Sequence, residues 1–77
     1  MKKQKAVCVD WIDAASRRGW IDGDEDFGTL QCRALGFLVK ESKTTLTVSA
    51  SMSECNAFSD PLTIPKSCIV RRRVVKL

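Results

Sequence analysis

Histidine and tyrosine are both missing from this 77-residue chain, and each absence removes a chemistry. Without histidine there is no side chain whose ordinary pKa suits acid–base work near neutrality, and no imidazole to ligate a metal. The four cysteines, Cys8, Cys32, Cys55 and Cys68, are far apart in sequence and form no Cys-x-x-Cys pair. Metal knuckles need close ligand pairs, so this spacing argues against zinc. A cysteine nucleophile would also lack a histidine base. Paired carboxylates on a recognisable scaffold are missing as well, which leaves only scattered Asp and Lys residues for proton transfer. The expectation is a protein that is not an enzyme and needs no cofactor or metal. Long apolar runs are also lacking. None approaches the roughly 20 residues of a membrane helix, and Lys2, Lys3 and Lys5 are not followed by the apolar core of a signal peptide. The sequence therefore predicts no membrane association and a cytoplasmic location.

What is present fits one small folded unit, residues 1–77. Apolar residues make up 44% and charged residues 29%, a globular balance rather than that of a disordered tail. A domain of this size buries only about 60% of the surface its unfolded chain exposes, so its core must be small and efficient. Cys8, Cys32 and Cys68 sit inside apolar strand patterns and read as buried free thiols. Cys55, in the polar stretch 53–59, reads as the exposed and reactive one.

Period-two alternation dominates the chain. Val7, Val9 and Trp11 alternate with Cys8 and Asp10, giving a first strand over residues 5–12. Residues 13–28 lose the pattern. A short helix over 14–18 ended by Gly19 is one reading, and a long folded loop is the simpler one. Leu30 to Glu41 is a long apolar run with Gly36 at its centre, where a missing side chain permits a bend or bulge. After the turn Ser42-Lys43-Thr44, Leu46, Val48, Ala50 and Met52 alternate with Thr47, Ser49 and Ser51, which predicts a strand over residues 45–52 with one buried face. A second loop, 52–61, follows. Leu62-Thr63-Ile64 is a strand that Pro65 ends by withholding a backbone donor, Lys66-Ser67-Cys68 is a tight corner, and a last strand runs from Ile69 to Leu77. Five strands joined mostly by short connections predict an all-β fold, a strongly bent antiparallel barrel.

The long first loop, the glycine-bent strand leading through Val39–Glu41 into Ser42-Lys43-Thr44, the alternating strand after it and the final pair linked by a one-turn corner together resemble the Sm-like and SH3-like small β-barrels. The Trp11-Ile12-Asp13-Ala14, Gly19-Trp20, Leu35-Gly36-Phe37-Leu38-Val39 and Ile64-Pro65…Ile69 segments also resemble a group of small bacteriophage-encoded proteins, which would place the chain in a bacterial host cell. The resemblance implies a ring. Sm-like proteins pair the fourth strand of one subunit with the fifth of the next, here near Leu62–Ile64 and Ile69–Val75, and many bind single-stranded RNA. Leu62, Ile64, Ile69, Val70, Val74 and Val75 are therefore the candidate oligomer interface of a homo-oligomer.

Charge offers the other lead. The chain carries a formal charge of +4, and Arg71-Arg72-Arg73 with Lys66 and Lys76 concentrate much of the positive charge near its end. Strand alternation sends Arg72 to the face opposite Arg71 and Arg73. If the first and last strands are neighbours, the two ends share one basic surface that attracts phosphate. The alternative is that these arginines only solubilise an edge strand. Trp11 and Trp20 flank Arg17-Arg18, an arrangement that stacks bases or forms a protein hot spot; otherwise Trp11 packs in the core and Trp20 folds back to pin the loop. Asp22, Asp24, Glu25 and Asp26 lack the ligand register of a calcium loop and read as solvated charge. The candidate nucleic-acid-binding residues are thus Arg71, Arg73, Lys66, Arg17, Arg18 and Trp20, with RNA or single-stranded nucleic acid as the expected partner. The competing readings are a protein-interaction module using strand edges and the aromatic loop, and a nucleotide or small-molecule binder at a subunit interface.

Overall fold

The computed structural model describes residues 4–13, 20, 23 and 28–76, and shows an all-β protein built on a five-stranded antiparallel sheet. Strand β1 (Ala6–Asp13) lies between β2 (Leu30–Glu41) and β7 (Ile69–Val75); β2 also pairs with β3 (Thr45–Ser49), and β3 with β6 (Leu62–Pro65), giving the order β6-β3-β2-β1-β7. Among the described residues no helix is long and apolar enough to cross a membrane.

The alternation in β1 has the consequence it predicts. Val7 and Val9 are fully buried and join Leu46, Val48 and Ile64 in the core, with Trp11, Ala34, Leu38 and Ile69 packed around them. Cys8 and Asp10 take the opposite face. The twelve-residue β2 serves two partners, pairing with β1 through residues up to Phe37 and with β3 from Phe37 onward. It changes partner next to Gly36. A Cβ at that position would sit 2.5 Å from the Ser49 carbonyl oxygen, so close backbone approach, rather than an unusual φ, is what requires glycine there. A bulge between Leu38 and Lys40 adds to the bend.

The β2–β3 turn is held by Ser42. Its N–H donates to the Thr45 carbonyl at 2.9 Å, and its hydroxyl accepts the Thr45 N–H at 3.0 Å. Beyond it, the strand expected over 45–52 breaks at Ala50. Ser49 is buried and Ala50 exposed, the reverse of the predicted alternation. The physical reason is hydrogen bonding: the Ser49 hydroxyl lies 2.9 Å from the Ser51 carbonyl oxygen and also reaches that of Ser59, tying the chain into a turn. The expected loop 52–61 holds a small hairpin, β4 (Ser51–Met52) with β5 (Phe58–Ser59). The left-handed residues at its turn and exit are Asn56 and Asp60, two of the types that tolerate positive φ.

The Pro65 corner stands where the sequence placed it. Lys66–Cys68 form one 3-10 turn, with the Lys66 N–H donating to Thr44 O at 2.8 Å, and β7 starts immediately after. This turn joins the two outermost strands of the sheet. In a flat five-stranded sheet those edges would be about 19 Å apart, whereas a three-residue 3-10 turn advances the chain only about 6 Å. The sheet must therefore curl. Among the described residues no ladder joins β6 to β7, so the sheet is not sealed by hydrogen bonds.

Two expectations for the interface change with these positions. Ile64 is 1% exposed. It faces its β3 partner Leu46 in the core and cannot offer its side chain to another subunit, because the strand pleat turns it inward. Ile69 likewise packs against the core, whereas Leu62, Val70 and Val74 are exposed and Val75 is half-buried. Of the cysteines, Cys8 is buried, Cys32 and Cys68 are half-buried and Cys55 is exposed; all four are free thiols.

Candidate functional site

Strand register gathers charge on one face of β7-β1-β2. Asp10 lies opposite Arg33 on one side and Arg71 on the other; Cys8 lies opposite Leu35 and Arg73. Directly paired residues in antiparallel strands share a face, so Arg33, Arg71 and Arg73 surround one carboxylate. The register with β7 slips between Asp10 and Trp11, whose partners are Arg71 and Ile69, and Val70 is the extra residue left exposed by this bulge.

Arg33 grips Asp10 with two hydrogen bonds, Nε donating to Oδ1 at 2.6 Å and Nη2 to Oδ2 at 3.1 Å. These bonds, reinforced by the charges of Arg33, Arg71 and Arg73 and opposed by partial desolvation, hold the Asp10 carboxyl below its ordinary pKa. The same bonds raise the pKa of Arg33. Among the described residues Arg71 and Arg73 take no part in the salt bridges or side-chain hydrogen bonds of this face. With Cys8, Asp10 and Arg33 they line a cavity of about 80 Å³. Arg33 and Asp10 also line a larger cleft of about 410 Å³, shared with Trp11, Ile12, Gln31, Cys32 and Val70. The Arg33–Asp10 pair is thus common to both.

Arg72 points away, to a second charged group. Its guanidinium donates to Glu41 at 2.8 and 3.1 Å, and the Lys66 ammonium lies 2.6 Å from the same carboxylate. The hydrogen bonds from Arg72 and then Lys66 lower the Glu41 pKa to about 2, and Glu41 in turn raises that of Arg72. This group ties the end of β2 to the corner and to β7.

The candidate residues therefore separate. Arg71 and Arg73 come together. Lys66 does not join them: it is committed to Glu41, because the corner carries it to the end of β2. Arg17 and Arg18 lie outside the described residues, as do the acids 22 and 24–26 and the helix considered over 14–18. Trp20 is 104% exposed, as open as a free residue, so it does not fold back to pin the loop. Trp11 packs against the core. The residue that sequence reasoning overlooked is Arg33, and with it the role of Asp10 as counter-ion. Their opposite charges form a cross-strand pair, a signal that becomes readable only once the β1–β2 register is known. Among the described residues no group of Cys, Asp or Glu is arranged to hold a metal ion.

No family model matches the chain, and neither a curated protein nor a solved structure matches it.

Proposed function

We propose that this protein is a non-enzymatic small β-barrel of the Sm-like or SH3-like kind that binds single-stranded nucleic acid, RNA foremost, through the β7-β1-β2 face. The observation that carries the reading is the position of Arg71 and Arg73: both stand on one face beside Arg33, and neither shares in the salt bridge that Arg33 makes with Asp10. Guanidinium groups without an ion-pair partner among the described residues favour phosphate, and a chain of net charge +4 draws polyanions toward them. The barrel reading is supported by the strand order and by the single turn that joins the two sheet edges.

Retention of labelled single-stranded RNA and DNA at rising salt tests the binding. Affinity should fall steeply with salt for unrelated sequences alike, with the log–log slope shrinking by about one unit per lost phosphate contact when an arginine is removed. Failure to retain either strand at low salt would remove the reading.

Self-association is part of the proposal. The outer edges of β6 and β7 have no strand partner among the described residues, and Leu62, Val70 and Val74 are exposed there. Such edges invite pairing between copies. Light scattering should give a mass several times the 8.6 kDa of one chain; a single 8.6 kDa species at high micromolar concentration would end the idea. In that event the same edges and the exposed Trp20 favour a monomeric adaptor that docks on another protein.

A further inference from the structure

The β7-β1-β2 face is not a uniform basic strip. Its three arginines converge on a cavity of about 80 Å³ floored by Cys8 and Asp10, and the Arg33–Asp10 pair also lines the neighbouring cleft of about 410 Å³. The small cavity and the large cleft differ in chemistry. The first is lined by guanidinium groups and one carboxylate; the second adds Trp11, Ile12 and Val70, which are apolar, and Gln31, which can donate and accept hydrogen bonds.

We infer that the pair of cavities is a site for a terminal phosphomonoester of a nucleotide, with the phosphate among Arg33, Arg71 and Arg73 and the attached nucleoside against Ile12 and Val70. The inference rests on the nucleic-acid reading above and narrows it from the length of a strand to its end.

Three steps support it. The first is charge. Among the described residues three guanidinium groups stand against one carboxylate on this face, an excess of two positive charges, and a phosphomonoester near neutral pH carries close to two negative charges, since its second pKa is about 6. An internal phosphodiester carries one. The second is geometry. Asp10 holds Arg33 along one edge of its guanidinium, through Nε and Nη2, so that side chain is already oriented, while Arg71 and Arg73, two residues apart on one strand, present their groups from the other side. Planar donors placed around a cavity favour a compact tetrahedral anion that accepts in several directions. The third is adjacency. Pockets that take nucleotides join a polar grip to an apolar surface, and here one ion pair belongs to both linings.

The phosphate could come from a strand end or from a free mononucleotide, and the test separates them. The full chain is titrated with inorganic phosphate, with a nucleoside 5′-monophosphate, and with one short single-stranded RNA made in two forms, 5′-phosphorylated and 5′-hydroxyl; a 3′-phosphorylated form covers the other end. Binding is followed by backbone amide shifts and by anisotropy. Inorganic phosphate should shift amides of residues 8–10, 33 and 71–73. One phosphorylated RNA should bind about tenfold or more tightly than the hydroxyl-ended RNA, the loss expected when a charge-assisted contact goes unmade. Arg71→Lys with Arg73→Lys keeps the charge but not the fork, and should abolish that preference, while Lys43→Ala, an exposed turn residue remote in register, should leave it. A mononucleotide that binds as tightly as the phosphorylated strand supports the same site with a free nucleotide as its occupant. Equal affinity for all RNA forms, with salt-dependent binding intact, overturns the phosphomonoester site and spares the broader reading. No RNA binding, with phosphate still shifting the three arginine positions, does the opposite. No shift with phosphate at all overturns the site.

Discussion

Two groups of charge sit on either side of β7, and they are built from nearly the same parts. On one side Glu41 is held by Arg72 and Lys66, one acid saturated by two bases that bind the corner to the end of β2. On the other, Asp10 is hydrogen-bonded by Arg33, while Arg71 and Arg73 stand beside it with no salt bridge among the described residues. The residues of the Arg71-Arg72-Arg73 triplet are adjacent in sequence yet belong to different tasks. Positive charge in a sequence does not mark a binding surface; what distinguishes the two groups is whether the cations already have partners. A satisfied cluster fastens the fold, whereas an unsatisfied one remains available to a ligand.

Substitutions on the two sides should therefore separate binding from stability. The largest effect expected is on nucleic-acid affinity. Arg71→Ala with Arg73→Ala should lower it on the order of a hundredfold at low salt, as two charge-assisted contacts are lost, with the melting temperature nearly unchanged. Arg72→Ala should show the converse, a lower melting temperature with affinity largely kept. If Arg72→Ala weakens binding as much as the double variant, the contrast between the two groups fails.

Gly36→Ala comes next and should damage both sides, because β2 supplies Arg33 before the bend and Glu41 after it. The added methyl would meet the Ser49 carbonyl at 2.5 Å, and backbone on backbone has little room to yield. A loss of about 1–3 kcal/mol in urea unfolding is expected. An unchanged midpoint would mean that β2 does not need this close approach.

Acid should weaken the Glu41 side selectively. The Glu41 pKa falls in the folded state from 4.5 to about 2. Because it is depressed, its stabilising contribution is fully present above about pH 4.5 and is lost as pH falls through that interval toward 2. Melting temperature followed from pH 5 to pH 2 should fall, and less so in Glu41→Gln, which starts lower. Parallel curves for the two proteins would show that the carboxylate contributes little. The group is solvent-accessible, so added salt should shrink the difference.

The smallest effect expected has the opposite sign. Asp10→Asn removes the negative charge at the centre of the basic face and should raise affinity for an unphosphorylated strand, about threefold, the scale of one exposed charge interaction. A loss of affinity would mean that orienting Arg33 matters more than the net charge.

Much of this architecture could be read from residue order. The alternation of Val7, Val9 and Trp11 marked β1, the apolar run through Gly36 marked β2, and Pro65 marked the corner, because each signal is local. The failures share a different cause. Ser49 and Ala50 exchange places because a buried hydroxyl finds carbonyl partners on Ser51 and Ser59, the latter ten residues away. Ile64 points inward because β6 takes its register from β3. Arg33 found Asp10, and Lys66 found Glu41, across distances in sequence that alternation cannot span. Pattern gives the face of a strand; only pairing gives its neighbour.

The ladder between β1 and β7 has a consequence for the order of events during synthesis. Ala6 pairs with Val75 and Val7 with Val74, so one whole edge of β1 has no partner until β7 has left the ribosome. The hairpins β1–β2 and β2–β3 can form earlier, but the strand bearing Val7 and Val9, both fully buried in the finished protein, stays open along that edge meanwhile. Contacts so distant in sequence form slowly, and an exposed apolar edge is where nascent chains associate wrongly. A chain released before β7 would thus present to proteases and chaperones the very strand that the complete fold hides best.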